Sequence, residues 1–243
     1  MSTSTAPLRL PRVLYPDNTD VARALLSHYL TTFTGRGFES VGHPWNDPAH
    51  ANKVTTADIV ALSCLAVPVG GDAVMRLLVE DAGRVSALLA DAPPPETNLW
   101  EVDEKAILDP EEALQSLWQL LRDIPGMGPT SASKLMARKR PRLVPIYDSV
   151  VAQALGMRSA RGHWEMMHTL LLSEIDGETV HEHLSRLSEG VAGAELVTPL
   201  RAFDIVTWYA HSSAPGQVKR RQEAFEQAGL DDPVAAERAI TAG

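Results

Sequence analysis

The sequence predicts an all-α fold, and three observations support this prediction. Apolar residues recur three or four positions apart in most segments between residues 19 and 225, which is the spacing of an amphipathic helix. The alternating pattern of strands is almost absent, and the apolar run 143–146 is interrupted by a proline. Capping residues, glycines and prolines separate the apolar segments. We therefore expect a single helical domain over residues 1–243, with room for two lobes.

The first helix is expected after an irregular start. Residues 1–18 are rich in Ser, Thr and Pro, whereas Thr19 and Asp20 can cap a helix. The apolar face of that helix comprises Val21, Leu25, Tyr29 and Leu30. The next stretch, 38–52, is predicted to be a loop. It carries His43, Trp45 and His50. We expect its tryptophan to fold onto the core rather than to remain an exposed stacking surface.

Short helices are expected through the rest of the chain. Thr55 and Asp58 have the spacing of a capping box before the apolar run 59–67. Three prolines at 93–95 mark either a lobe boundary or a stiff loop within one domain. Further helices are predicted around 73–80, 85–90, 164–171, 184–187, 200–208 and 219–225.

A helix, a tight turn and a second helix are predicted over about 111–140. The apolar stripe of the first helix ends at Pro125, which lacks an N–H group. Gly126 and Gly128 have no Cβ, so the backbone can turn tightly and approach a partner closely. Pro129 suits the first turn of the second helix, whose free N–H groups can bind an anion such as a phosphate.

The second helix of this hairpin continues into a basic run. Between positions 134 and 142 all the charged residues are basic, namely Lys134, Arg138, Lys139, Arg140 and Arg142. Such a run is typical of the phosphate-binding surfaces of nucleic-acid-binding proteins. Asp148 then stands at the start of another helix, within the segment 146–156.

These motifs resemble the helix-hairpin-helix DNA glycosylases, which excise damaged or mispaired bases. Their hairpin reads roughly Leu-Pro-Gly-Val-Gly-x-[Lys/Ser/Trp]-[Thr/Val]-Ala, and this chain has Ile-Pro-Gly-Met-Gly-Pro-Thr-Ser-Ala at 124–132. The family carries a catalytic Asp about eighteen residues after the variable position, and Asp148 lies 18 residues after Thr130. The resemblance covers about 35 of the 243 residues and implies a two-lobed helical fold. The length and helical organisation also look like an actinobacterial protein family, which implies no activity.

The resemblance assigns roles to the candidate site residues. It implies that Asp148 is the catalytic carboxylate, which stabilises the positive charge on the sugar and orients water as the base leaves. It implies that a DNA phosphate is held by Gly126, Gly128, Thr130 and Ser131. The flanking DNA backbone would be held by Lys134, Arg138, Lys139 and Arg140. Family members that also cleave the backbone have a lysine where this chain has Thr130, which cannot form an imine. We therefore expect a monofunctional enzyme, with Lys134 contacting phosphate rather than replacing that lysine.

No cofactor is expected. Cys64 is the single cysteine, so the iron–sulfur cluster that some family members carry is excluded. His181 and His183 are two residues apart and would face different sides of a helix, so no metal site is predicted. The resemblance implies one monovalent cation at the hairpin, bound by main-chain carbonyls near Arg122, Ile124 and Met127.

Composition and charge limit the partners. The chain carries a formal net charge of −9, which argues against a protein that coats nucleic acid without specificity. No run of 18 apolar residues is present, so no membrane span is predicted. The first residues lack the apolar core of a secretory signal. We expect a cytoplasmic protein whose partner is DNA, and the sequence leaves its oligomeric state open.

Two alternatives remain at the level of sequence. Tyr147 and Val150 stand where the resembled family has a small aliphatic residue and a histidine. The chain could therefore be a non-catalytic helix-hairpin-helix DNA-binding protein in which Asp148 only caps a helix. It could also be an N-glycoside hydrolase acting on RNA or a small nucleoside, which the acidic net charge would tolerate better. The sequence does not identify the base.

Overall fold

The computed structural model describes residues 10–109, 111–230 and 232–241, so the start of the segment predicted to be irregular lies outside it. The described chain is helical, as the sequence predicts. The helices are α1 (Thr19–Thr32), α2 (Gly37–Ser40), α3 (Thr56–Cys64), α4 (Gly71–Met75), α5 (Ala82–Asp91), α6 (Glu104–Leu108), α7 (Ala113–Arg122), α8 (Pro129–Lys139), α9 (Ser149–Ala154), α10 (His163–Leu172), α11 (Val180–Leu187), α12 (Pro199–His211), α13 (Gln217–Gln227) and α14 (Pro233–Thr241). A π-helical turn, Arg76–Glu80, extends α4. Short 3₁₀ turns lie at Arg12–Leu14, Pro16–Asn18, Thr34–Arg36 and Leu99–Glu101.

One small β-hairpin interrupts the helices, and it was not predicted from the sequence. Strands β1 (Glu174–Ile175) and β2 (Glu178–Thr179) pair in antiparallel register. Asp176 and Gly177 join them with φ values of 50° and 87°. An Asp-Gly pair in this conformation forms the tight turn that matches the twist of two strands.

The start of α1 differs from the prediction, whereas the start of α3 agrees with it. Thr19 is the first residue of α1 rather than its cap, and its hydroxyl donates to the Pro16 carbonyl at 2.7 Å. At α3, the Thr55 side chain accepts from the Asp58 N–H and the Asp58 carboxylate accepts from the Thr55 N–H. This reciprocal capping box satisfies two free donors at the helix start.

The apolar core is centred on α12. This helix packs against α1, α9, α11 and α13, and its buried residues include Phe203, Val206 and Tyr209. Buried apolar side chains from both halves of the chain form one contiguous cluster with it. Helix α12 therefore supplies a wall that elements distant in sequence can share.

Helices α7 and α8 pack against each other across a short turn, at the position predicted for the hairpin. Gly126 has a φ of +83°, a conformation that side chains with a Cβ rarely adopt. Gly128 is extended at the N-cap of α8, and Pro129 occupies its first turn. Apolar side chains on the inner face of α7 and in the turn are buried, as the apolar stripe predicts.

None of the helices in the described part of the chain combines the length and the apolar character that a membrane crossing requires.

Candidate active site

A cavity of about 340 Å³ lies where α1, α8 and α12 approach one another. Three aromatic side chains contribute to its walls, Tyr29, Phe33 and Trp208. Phe33 stacks on Tyr29 and meets Trp208 edge to face, with ring centroids 5.2 and 5.3 Å apart. The volume falls within the range of roughly 300–1,000 Å³ that is usual for small-ligand sites.

Asp148 lines this cavity and also caps α9. Its Oδ1 accepts a hydrogen bond from the Val150 N–H at 3.0 Å. Its Oδ2 lies 3.2 Å from Nζ of Lys134. The side chain is 15% exposed, and both of its oxygens have a partner while the residue lines the cavity.

Lys134 lines the cavity, where it pairs with Asp148, and its predicted contact with a DNA phosphate stays a prediction. Its side chain is only 8% exposed, and Nζ also donates to the Leu65 carbonyl at 3.4 Å. The physical reason is helical spacing, because Lys134 lies four residues after Thr130 and shares its face of α8. Thr130 lines the same cavity.

Three residues of the basic run after Lys134 are buried, so the predicted DNA-binding surface is wrong for Arg138, Lys139 and Arg140. Arg138 and Lys139 both bind Asp58, with N–O distances of 3.3 and 3.1 Å. Arg138 also donates to the carbonyls of Phe38, Val41 and His43. Burial lowers the pKa of Lys139, and the Asp58 carboxylate opposes that shift. These cations hold the loop between α2 and α3 onto α8.

Arg140 is the most deeply buried member of the run, at 1% exposure. Its guanidinium donates to three carbonyls in two segments of the chain, those of Ala51, Leu89 and Pro93. A further donor reaches Oδ1 of Asn52 at 2.7 Å. Burial lowers the pKa of Arg140 to about 10. The five donors of a guanidinium suit this clamp, and they leave no free face for a phosphate.

A buried ion cluster on α12 completes the cavity wall. Arg201 binds Oε1 of Glu39 at 2.5 Å and also pairs with Asp204. A third donor of Arg201 reaches the Tyr29 hydroxyl at 3.0 Å. Burial raises the pKa of Asp204 to about 6, although Arg201 and Lys134 pull it down.

Together with Asp148 and Lys134, this cluster places three carboxylates against two cations. It carries one net negative charge when all the groups are ionised. Arg201 and Asp204 of α12 were not predicted to be site residues, but the sequence contains a signal for them. Arg201 and Asp204 are three apart, and charged side chains are unusual on a face of an otherwise apolar helix.

The turn between α7 and α8 is open to a partner. A Cβ added at Gly126 would meet nothing within 4 Å, and one added at Gly128 would meet only Nη1 of Arg122 at 3.9 Å. Thr130 and Ser131 are partly exposed at the start of α8. The predicted phosphate contact of these four residues stays a prediction, as does the monovalent cation. The Ile124 carbonyl, named for that cation, accepts from the Met127 N–H at 3.0 Å.

Comparison with known families adds one finding. The model of a family of unknown function, DUF6308, matches residues 22–211. The chain belongs to DUF6308. The matched span contains every residue that lines the cavity, so the cavity is part of the region that defines DUF6308 membership. Neither the curated proteins nor the solved structures include a match to the chain.

Proposed function

We propose that this DUF6308 protein is a monofunctional DNA N-glycosylase-like enzyme, which hydrolyses the N-glycosidic bond of a flipped damaged or modified base. The observation that supports this most directly is the position of Asp148. Its carboxylate faces an aromatic-walled cavity, at the spacing from the hairpin that the resembled family uses for its catalytic Asp.

The charge of the cavity suits this reaction. Breaking an N-glycosidic bond develops positive charge on the sugar, which a nearby carboxylate stabilises. Asp148, Asp204, Lys134 and Arg201 line the cavity, whereas Glu39 does not, so the cavity offers a carboxylate to a developing cation without carrying an excess of positive charge. Asp148 would also orient the attacking water.

The aromatic walls of the cavity provide stacking surfaces for an extruded base. A base extruded from a duplex loses its stacking partners, at a cost of a few kcal/mol that is lowest for a damaged base. Phe33 and Trp208 offer rings on which an extruded base could stack. Asp204 is a candidate proton donor to the leaving base, because a pKa of about 6 leaves a fraction of it protonated near neutral pH.

The phosphate contacts would come from residues other than the buried run. Arg220 lies over the Phe33 ring at 5.5 Å, and Arg36 donates to the Phe33 carbonyl at 3.0 Å. Both cations therefore lie beside an aromatic wall of the cavity, and Arg36 is exposed. We propose that they hold the backbone next to the extruded nucleotide, together with the amides at the start of α8.

Lys134 raises the question of an imine intermediate, because its amine is in the cavity. Attack on the sugar requires a neutral amine, whereas the ion pair with Asp148 uses the ammonium form. We therefore assign Lys134 to holding Asp148 in place. Borohydride reduction during turnover tests this directly, because it traps a covalent protein–DNA adduct only if an imine forms.

One observation favours a second candidate, an N-glycoside hydrolase acting on RNA or a small nucleoside. Burial of Arg138, Lys139 and Arg140 removes basic surface next to the hairpin, and the net charge of −9 does not attract a polyanion. The non-catalytic DNA-binding alternative is supported only by the capping bond that Asp148 accepts from the Val150 N–H.

The decisive experiment measures base release from duplexes that each carry one modified or mismatched base, with free nucleosides in parallel. Asp148→Asn keeps the shape and the capping ability of the side chain but removes its charge. A matched control is Asp103→Asn, because Asp103 also caps a helix but does not line the cavity.

Release by wild type and by the control, but not by Asp148→Asn, would support the glycosylase. Thermal unfolding of each variant separates loss of chemistry from loss of fold. Salt-dependent DNA binding without release by any of the three proteins would favour the non-catalytic alternative. Release from nucleosides alone would favour the second candidate.

A further inference from the structure

A second cluster of ligand-type side chains lies in the loop between α2 and α3, away from the cavity. Asp47 Oδ2 is 2.8 Å from Nδ1 of His50 and 3.5 Å from Nδ1 of His43. The two imidazole rings stack with centroids 3.4 Å apart and planes within 6° of parallel. One ligand atom from each of the three residues lies within 4.8 Å of the other two.

This arrangement matches the ligand spacing of a zinc-type ion. Zinc binds imidazole nitrogen and carboxylate oxygen at about 2.0–2.2 Å in tetrahedral geometry, so neighbouring ligand atoms stand about 3.3 Å apart. The two distances to Asp47 bracket that value. The nitrogen lone pairs lie in the ring planes, so ion binding requires the near-parallel rings to rotate about their Cβ–Cγ bonds and give up their stacking. Two imidazoles and a carboxylate are ligands that divalent transition metals accept readily.

We propose that His43, Asp47 and His50 bind one divalent transition-metal ion of the zinc type, with water in the fourth position. No metal site was expected from the sequence, because His181 and His183 are two residues apart. The ligands His43 and His50 are seven residues apart, and the turn between them brings them together.

The backbone of this loop is fixed before any ion arrives. Oδ1 of Asp47 accepts from the Ala49 N–H at 3.0 Å, and the Asp47 carbonyl accepts from the N–H groups of His50 and Ala51. Arg138 holds the His43 carbonyl at 2.8 Å, and Arg140 holds the Ala51 carbonyl at 3.0 Å. Both ends of the ligand set are thus tied to α8. A preorganised loop loses little conformational entropy when it binds.

The cluster is also accessible. The side chains of His43, Asp47 and His50 are 47%, 29% and 30% exposed, so an ion can enter from solvent. None of the three lines the cavity of Asp148. The metal site is therefore independent of the proposed glycosylase activity, and each proposal can fail without the other.

The test is a Co²⁺ titration of tag-free protein, followed by competition with Zn²⁺. Tetrahedral Co²⁺ gives visible absorption bands that report nitrogen and oxygen ligands. We expect one ion per chain in wild type. Loss of a supporting residue of a metal site costs about 10–100-fold in affinity, so His50→Ala and His43→Ala, which remove ligands, are expected to weaken binding by roughly 100-fold or more.

The matched control is His181→Ala. His181 stacks on Trp100 and belongs to no three-ligand cluster among the described residues, so its loss should leave binding unchanged. Far-UV circular dichroism verifies the fold, and His50→Gln provides a second variant close in size to the native side chain. Zn²⁺ should raise the Tm of wild type and of His181→Ala but not that of the ligand variants. Absence of binding in wild type, or equal binding in all variants, would overturn the proposal.

Discussion

Asp58→Asn tests the conclusion that the basic run of α8 is structural. Asp58 is 3% exposed and accepts from four donors, two on Thr55 and one each on Arg138 and Lys139. Asparagine can keep the hydrogen bonds of the cap but not the charge. Removing one partner of a buried ion pair costs about 3–5 kcal/mol. Because whole domains are stable by roughly 5–15 kcal/mol, the variant should lose a large fraction of its stability.

Urea unfolding followed by circular dichroism measures this loss as a shift of the midpoint. The matched control is Asp91→Asn, an exposed carboxylate at the end of α5, which should change stability by no more than about 0.5 kcal/mol. Salt provides a second readout, because buried pairs are poorly screened. The difference between the variants should therefore persist in about 0.5 M NaCl. A loss below about 1 kcal/mol for Asp58→Asn, the range of exposed pairs, would refute the burial of these charges.

Three further predictions concern the cavity and the clamp at the end of α8. Burial raises the pKa of Asp204 to about 6 from an ordinary 3.8, so between these pH values the folded protein holds a proton that the unfolded chain has lost. The free energy of unfolding of wild type should therefore fall as pH rises through this range, by ~1.4 kcal/mol per pH unit. Asp204→Asn should lack that slope when the two unfolding curves are compared across pH. Trp208→Ala in the Asp148→Asn background should weaken binding of a lesion duplex by about 1–3 kcal/mol in fluorescence anisotropy, whereas Trp100→Ala should not. Arg140→Lys should lower the free energy of unfolding by about 2–4 kcal/mol, because an ammonium cannot reach three separated carbonyls.

Local sequence patterns, such as capping residues and prolines, predicted most of the helices. The capping box at Thr55 and Asp58 is visible from spacing alone, and the structure contains it. Pro129 after Gly128 also marks the start of α8 by local sequence alone. The N–H group that proline lacks would have no partner within the helix in the first turn. The β-hairpin was also within reach, because Asp176-Gly177 is a strong turn signal.

The cavity could not be predicted in the same way, because its contacts are long-range. A run of basic residues shows where positive charge lies in the sequence, but not whether the side chains face solvent or the core. Arg138 faces the core, so the predicted DNA contact was wrong. Its carboxylate partner, Asp58, lies 80 residues earlier in the chain. Nothing near Arg138 in sequence indicates that pairing. Asp148 was singled out because its distance from the hairpin matches the resembled family, and the structure places it at the N-cap of α9 and in the cavity lining.

The bonds of Arg201 have a consequence for the order in which the protein can fold during synthesis. This side chain binds Tyr29, 172 residues earlier, and Glu39, 162 residues earlier. Synthesis at about 5–20 residues per second leaves roughly 10–30 s between these positions. During that interval, the aromatic wall on α1 has no α12 to pack against. A chain stopped before residue 199 would lack the centre of the core, so we expect such fragments to engage chaperones or be degraded rather than to accumulate as a folded lobe.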